Sequence, residues 1–173
     1  MDEKKSEQLI AAGLIVCAAL MRLLPHVPNF TPLTAIAVFS GAVLSPGIAI
    51  IVPVAAMIAS DLLIGPHPLF WLTWGCFALS ALSGIWVRRD RRAPRILAAT
   101  LGGSVLFFVA TNLGTFFFGG LYEQNFPGLA QCFTLALPFF RNALAGDFFY
   151  AALIFGVFEL ARRVIRRRFF HNA

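Results

Sequence analysis

The sequence predicts an all-α integral membrane protein in which residues 1–173 form one domain, a bundle of six transmembrane helices. Composition indicates this class first: 59% of the residues are hydrophobic, 13% are charged, and the mean hydropathy is +0.80. A soluble monomer of this composition would expose too much apolar surface. Long apolar runs fill most of residues 9–161, and they lack the alternation of apolar and polar residues that is typical of a membrane β-barrel.

Proline, glycine and charged residues divide the apolar sequence into helices, because a spanning helix needs about 17–25 residues and helix breakers collect at its ends. The first predicted helix covers residues 8–24 and follows Lys4 and Lys5. It lacks a clear small-residue cleavage site, so we expect an uncleaved helix and not a signal peptide. The second predicted helix, 32–45, is short, and the third covers residues 47–64.

The last three predicted helices cover residues 69–87, 94–118 and 129–161. An arginine-rich loop separates the first two of them, which is a strong boundary signal in an apolar sequence. Pro138 and Arg141 interrupt the last helix, because proline removes a backbone donor and arginine is costly within a bilayer.

The basic residues predict the orientation of the bundle. With six crossings, Lys4 and Lys5, the 88–95 loop and the 162–168 tail fall on one side, which the positive-inside rule makes cytoplasmic. We therefore expect a multi-pass membrane protein with both termini in the cytoplasm. The same rule accounts for the net charge of +6, so the expected partner is the lipid bilayer and no nucleic acid. The outer loops are then 25–31, 65–68 and 119–128.

Polar residues in the outer half of the predicted bundle are the candidate site, because polar groups inside a membrane are costly and usually functional. Those within predicted helices are Asp61, Cys76, Asn112 and Arg141. The outer loops add Asn29, His67 and Tyr122. Two interpretations stay open. These residues either line a ligand pocket, or Asp61 and Arg141 pair with each other and serve only helix packing.

Metal and nucleotide motifs are missing from the sequence. The three cysteines and three histidines show none of the spacings of structural zinc sites, and no nucleotide-binding motif is present. We expect Cys17 to be a small buried residue. For Cys76 and Cys132, simple packing and a disulfide both remain open, because spacing alone does not establish proximity.

Three segments carry a resemblance to a known family. They run from Arg22 to Pro32 (RLLPHVPNFTP), from Ser60 to Gly65 (SDLLIG) and from Cys132 to Asn142 (CFTLALPFFRN). Together they resemble small six-helix membrane proteins related to S components, the substrate-capturing subunits of energy-coupling-factor vitamin transporters. Within that group, Cys76 near the outer end of the fourth helix resembles the cysteine of solitary, BtuM-like cobalamin-uptake proteins, in which a cysteine ligates cobalt.

This resemblance implies a substrate-binding protein for vitamin uptake in the bacterial cytoplasmic (inner) membrane, with a pocket under the outer loops. The implied ligand is cobalamin, bound as substrate with no other cofactor expected. Cys76 is then both the cobalt ligand and the catalytic residue for removing cyanide from cyanocobalamin, since a soft thiolate binds transition metals well. Asp61 and Arg141 are expected to hold polar edges of the ligand. The other expected substrate-binding residues are His67, Asn29, Tyr122 and Asn112.

Other functions and two modes of energising transport stay open. The first helix lacks the A-x-x-x-A stripe of S components that share an energy-coupling module, and its nearest small-residue pair is Gly13 with Cys17. The protein therefore works either with such a module or alone. The alternative functions are an S component for another small vitamin or nutrient, a membrane enzyme that uses Asp61, His67 or Cys76, and a structural subunit.

Reporter fusions test the predicted orientation. Fusions after Arg92 and after Arg168 should report a cytoplasmic location, and a fusion near Gln124 should report an external one, because the arginine distribution places them so. A cytoplasmic signal at Gln124 would contradict the predicted orientation.

Overall fold

The computed structural model describes residues 3–65 and 67–171, and this part of the chain is entirely helical apart from its connecting segments. The predicted all-α class is therefore confirmed. The six helices within these residues are α1 (Glu3–Leu23), α2 (Leu33–Val43), α3 (Pro46–Ile64), α4 (Phe70–Val87), α5 (Ala93–Phe118) and α6 (Phe126–His171).

Five of the six described helices are long and apolar enough to cross a membrane, so the chain is a helical membrane bundle. The exception is α2, which has 11 residues. At 1.5 Å per residue it is about 16 Å long, roughly half of the hydrocarbon core of a bilayer. The second helix, which the sequence analysis also expects to be short, is therefore the one described helix that does not cross a bilayer by itself. Its end is explained by Pro46, which disfavours the helical conformation in Ser45 and leaves that residue extended at ψ 148°.

The last helix also differs from the prediction. α6 is continuous across Pro138 and Arg141 over 46 residues. Proline inside membrane helices is tolerated where neighbouring groups satisfy the freed backbone, and α3 likewise contains Pro53. The interruption expected in the sixth helix is therefore absent.

The short helix α2 lies at the centre of the bundle. Its first ten residues are buried. Its close approach to α4 depends on two glycines, because a Cβ added at Gly84 would lie 2.9 Å from the Cα of Gly41. The C-terminal carbonyls of α2 are satisfied by Arg88, which donates to the Gly41 carbonyl at 2.8 Å and also to the Leu44 carbonyl.

α2 begins deep within the bundle. A Cβ added at Gly103 would lie 2.7 Å from Cγ2 of Thr34, so the start of α2 lies beside this residue of α5. Gly103 precedes the end of α5 at Phe118 by fifteen residues, which is about 22 Å along the helix. The space beyond the start of α2 is consequently left for the connecting segment and for a cavity.

The connecting segment 24–32 turns back into the bundle. Phe30 N–H donates to the Val27 carbonyl at 2.9 Å, and Asn29 has a positive φ of 63°. Proline followed by Asn with positive φ is typical of a type II turn, and Asn tolerates this conformation better than most residues. Beyond the turn, the Phe30 ring packs against Tyr150 of α6 with centroids 5.6 Å apart, which leads the chain down to α2.

The two ends of the bundle are marked by side-chain contacts. Near the ends of α1 and α3, Arg22 pairs with Asp61. At the opposite end, Glu7 of α1 accepts a hydrogen bond from the Ser45 N–H just before α3. α1 and α3 therefore run in the same direction, and α2 runs between them in the opposite one.

Replacing Gly84 by Leu should destabilise the bundle, because the new side chain would meet the backbone of α2 and not a flexible side chain. Overpacking of this kind costs about 1–3 kcal/mol or more. Thermal unfolding in detergent measures the effect. Gly75→Leu is the matched control on α4, since a Cβ at Gly75 meets nothing within 4 Å. Equal stability of the two variants would contradict the close packing of α2 on α4.

Candidate ligand cavity

A cavity of about 290 Å³ lies between the start of α2 and the connecting segments at the Arg22–Asp61 end of the bundle. Its wall is unusually polar for the interior of a membrane bundle. The titratable residues that line it are Arg22, His26, His67 and Asp147. The neutral polar residues that line it are Asn29, Thr31, Thr34, Thr73 and Ser104.

A smaller cavity of about 140 Å³ lies between α5 and α6. Asn29, Ser104, Phe107 and Ala143 line both cavities, so the two are neighbours. Asn112 lines the smaller one, and its side-chain amide donates to the Phe108 carbonyl at 2.7 Å. Asn29 and Asn112, both expected in the site, therefore do lie at the cavities.

Asp61 is held by three neighbours and does not itself line the 290 Å³ cavity. Its Oδ1 accepts from Nη1 of Arg22 at 2.7 Å, and its Oδ2 accepts from Nε1 of Trp74 at 2.8 Å. His67 Nε2 lies 3.7 Å from the same Oδ2. The carboxylate thus holds Arg22 and His67 in the cavity wall. Asp61 was expected to contact the ligand, and instead it supports two residues that line the cavity.

Arg141 does not pair with Asp61. Its side chain is exposed on α6 and makes no hydrogen bond or ion pair within the described part of the chain. The interpretation in which Asp61 pairs with Arg141 is therefore wrong, because the cation that pairs with Asp61 is Arg22. The periodicity of a long apolar helix does not reveal which face meets the bundle, and α6 turns Arg141 away from the cavity.

Asp147 was missed by the sequence analysis. It is 4% exposed in the middle of α6 and lines the cavity. Its Oδ2 accepts a hydrogen bond from Oγ of Ser104 at 2.6 Å, and the Thr34 hydroxyl at the start of α2 is a second partner. A carboxylate in the apolar sequence between Gly146 and Phe148 is itself a signal of function, and it would have identified this residue.

Cys76 is buried on α4 but does not line either cavity. Thr73 and Phe77, which flank it on the same helix, line the larger one. The pocket is also small, since drug-sized ligands occupy about 300–1,000 Å³ and a corrinoid with its side chains is larger than such ligands. The role of Cys76 as cobalt ligand and catalytic residue stays a prediction.

The remaining expected residues lie near the cavity or outside it. Tyr122 hydrogen-bonds to the Cys132 thiol and does not line the cavities. All three cysteines are free, which excludes the Cys76–Cys132 disulfide in this structure. Cys17 is exposed on α1, so the expectation that it is buried was wrong.

Replacing Arg22 by Ala should destabilise the protein by about 3–5 kcal/mol, because the buried Asp61 carboxylate loses its cation. Thermal unfolding in detergent measures the loss. The double variant Arg22→Gln with Asp61→Asn should recover most of it, since neither charge then remains unpaired. Arg141→Gln is the control and should change the stability little. A larger loss in Arg141→Gln than in Arg22→Ala would contradict the pairing.

Comparison with known proteins gives one match. A family described as "Family of unknown function (DUF6580)" matches residues 2–169, which include α1 to α5, α6 except its last two residues, and every cavity residue named above. No curated protein and no solved structure matches the chain. The likeness to S components is therefore carried by the three sequence segments alone. Since the match covers nearly the whole sequence, the chain belongs to the family of unknown function DUF6580.

Proposed function

We propose that this protein binds a small polar organic solute in the 290 Å³ cavity and serves its uptake across the membrane. The observation that carries this proposal is the polar cavity inside an apolar bundle. Charged side chains within a bilayer cost several kcal/mol and are usually functional. A concave site with a few convergent polar groups is the usual form of a small-molecule site.

The size of the cavity favours a small solute over a corrinoid. Its volume of about 290 Å³ is at the lower limit of pockets for drug-sized ligands. The neighbouring 140 Å³ cavity, with which it shares Ala143 and Phe107, adds limited space. Among the functions left open by the sequence, uptake of another small vitamin or nutrient therefore agrees best with the geometry.

The arrangement of charges supports entry of the solute from outside the cell. The cavity lies at the end of the bundle that carries His26 and His67, and both side chains line it. The opposite end carries Arg88 beside Leu44, and Arg91 beside Glu159. By the positive-inside rule that arginine-rich end is cytoplasmic, and the cavity then faces outwards.

The two rival functions receive less support. A structural subunit would be favoured by a solidly packed outer end, whereas this end contains an open space lined by Arg22, His26 and Asp147. An enzyme needs catalytic groups within reach of each other and of a substrate. The proposed nucleophile Cys76 lies outside the wall of the cavity, so the geometry favours binding over chemistry.

Ala143→Trp tests the proposed function, because this small residue lines both cavities and a tryptophan would fill them. Wild-type protein should carry a solute from the cells in which it is produced, and the Trp variant should lose it. Mass spectrometry of small molecules extracted from the purified protein measures both.

The control is Ala145→Trp, which makes the same change at an exposed position of the same helix. It should retain the solute. Equal amounts of solute in both variants, or none in the wild type above a mock purification, would contradict the proposed function.

A further inference from the structure

We infer that the solute is an organic ammonium ion, a small molecule whose protonated amine pairs with the Asp147 carboxylate. This inference rests on the proposed function and specifies its substrate class. It follows from a contrast between Asp61 and Asp147, the two carboxylates that are buried among the described residues.

Asp61 receives its positive charge from the protein itself. The Arg22 guanidinium lies 2.7 Å from Oδ1, while the Trp74 indole donates to Oδ2. Its side chain is 7% exposed, so the pair is largely removed from water. A buried carboxylate with a cation and further donors has its desolvation cost offset by these contacts.

Asp147 has no such cation. It is 4% exposed, and the partners recorded for it are the hydroxyls of Ser104 and Thr34. No arginine, lysine or histidine forms an ion pair with it among the side chains that the structure describes. Burying an unpaired charge is costly. Because Asp147 lines the cavity, a cation that enters the cavity offsets this cost by pairing with the carboxylate.

The distribution of charge around the cavity orients such a solute. Arg22 and Trp74 both donate to the Asp61 carboxylate, so Arg22 lies at the level of Trp74. Asp147 is hydrogen-bonded to Ser104. Ser104 follows Gly103, and a Cβ added at Gly103 would lie 2.9 Å from the Ser80 hydroxyl. Asp147 therefore lies at the level of Ser80. These levels differ by six residues of α4, about 9 Å. The charge of Arg22 is already balanced by Asp61, so the carboxylate without a cation, at the Asp147 end, is the group that directs the amine.

Two aromatic rings in the wall of the same cavity suit the body of an organic cation. Phe77 and Phe107 line the cavity, and their rings stack with centroids 5.2 Å apart. They provide an apolar surface for the carbon skeleton, and aromatic faces attract an ammonium group. An inorganic cation would make no use of this surface.

Matched pairs of amine and alcohol test the inference. The probes are 2-phenylethylamine against 2-phenylethanol, and cyclohexylmethylamine against cyclohexylmethanol, which differ in charge at nearly constant shape. Binding to the purified wild-type protein is measured by thermal shift and by Trp fluorescence in amine-free phosphate buffer. At least one amine should bind ten-fold or more tightly than its alcohol. Alcohols that bind as tightly as their amines, or no binding of either amine, would overturn the inference.

Asp147→Asn should lose this preference, because the amide keeps the shape of the side chain without its charge. The matched control is Glu159→Gln, which removes a carboxylate from the same helix outside the cavity and should keep the preference. An unchanged preference in Asp147→Asn would overturn the inference. Should Asp147→Asn not fold, the comparison of amine and alcohol on the wild type still decides.

Two further outcomes separate this inference from the proposed function. A neutral or anionic solute that co-purifies with the wild type and is lost in Ala143→Trp would overturn the ammonium assignment and leave the uptake function standing. Stabilisation by Na⁺ over K⁺, abolished in Asp147→Asn and without any effect of amines, would assign Asp147 to an inorganic ion and also overturn it.

Discussion

The 11 residues of α2 are too few to cross a bilayer, and the rest of the structure is arranged around this short central helix. α2 is buried over its first ten residues. Near its end, Gly41 packs against Gly84, and Arg88 donates to the Gly41 carbonyl. Its start lies about 22 Å from the end of α5 at 1.5 Å per residue. The volume that a full-length helix would fill is instead occupied by a turn and a polar cavity. Non-helical backbone at membrane depth is tolerated where it is buried in protein or lines such a cavity.

The placement of charge follows from the same geometry. Titratable side chains project into the space beyond α2 from α1, from the 24–32 segment and from α6. The Arg22–Asp61 pair ties α1 to α3 at the open end and is also held by Trp74. Asp147 lies deeper, with hydroxyl partners only. One carboxylate thus stabilises the wall, and the other remains available to a ligand.

Sequence patterns predicted the elements better than their contacts. α3, α4 and α5 begin and end within two residues of the predicted bounds, because prolines, glycines and arginines mark their ends. The same patterns suggested an interruption at Pro138, which the surrounding bundle tolerates. They could not assign the partner of Asp61, because an apolar helix gives little sign of which face is buried. Asp147 was predictable from its charge within an apolar run. Cys76, singled out by the resemblance, precedes Phe77 in the sequence but does not line the cavity as Phe77 does.

Thiol labelling from outside the cell tests most directly whether water reaches this depth. In a variant without Cys17, Cys76 and Cys132, a single cysteine replaces Ala143, which lies about 25 Å along α6 from its start. An impermeant thiol reagent added to intact cells should label Ala143→Cys, and should not label Ala145→Cys on the lipid-exposed side of the same helix. Labelling of neither position in folded protein, or labelling of Ala143→Cys only after the cytoplasmic side is opened, would contradict an outward-facing cavity.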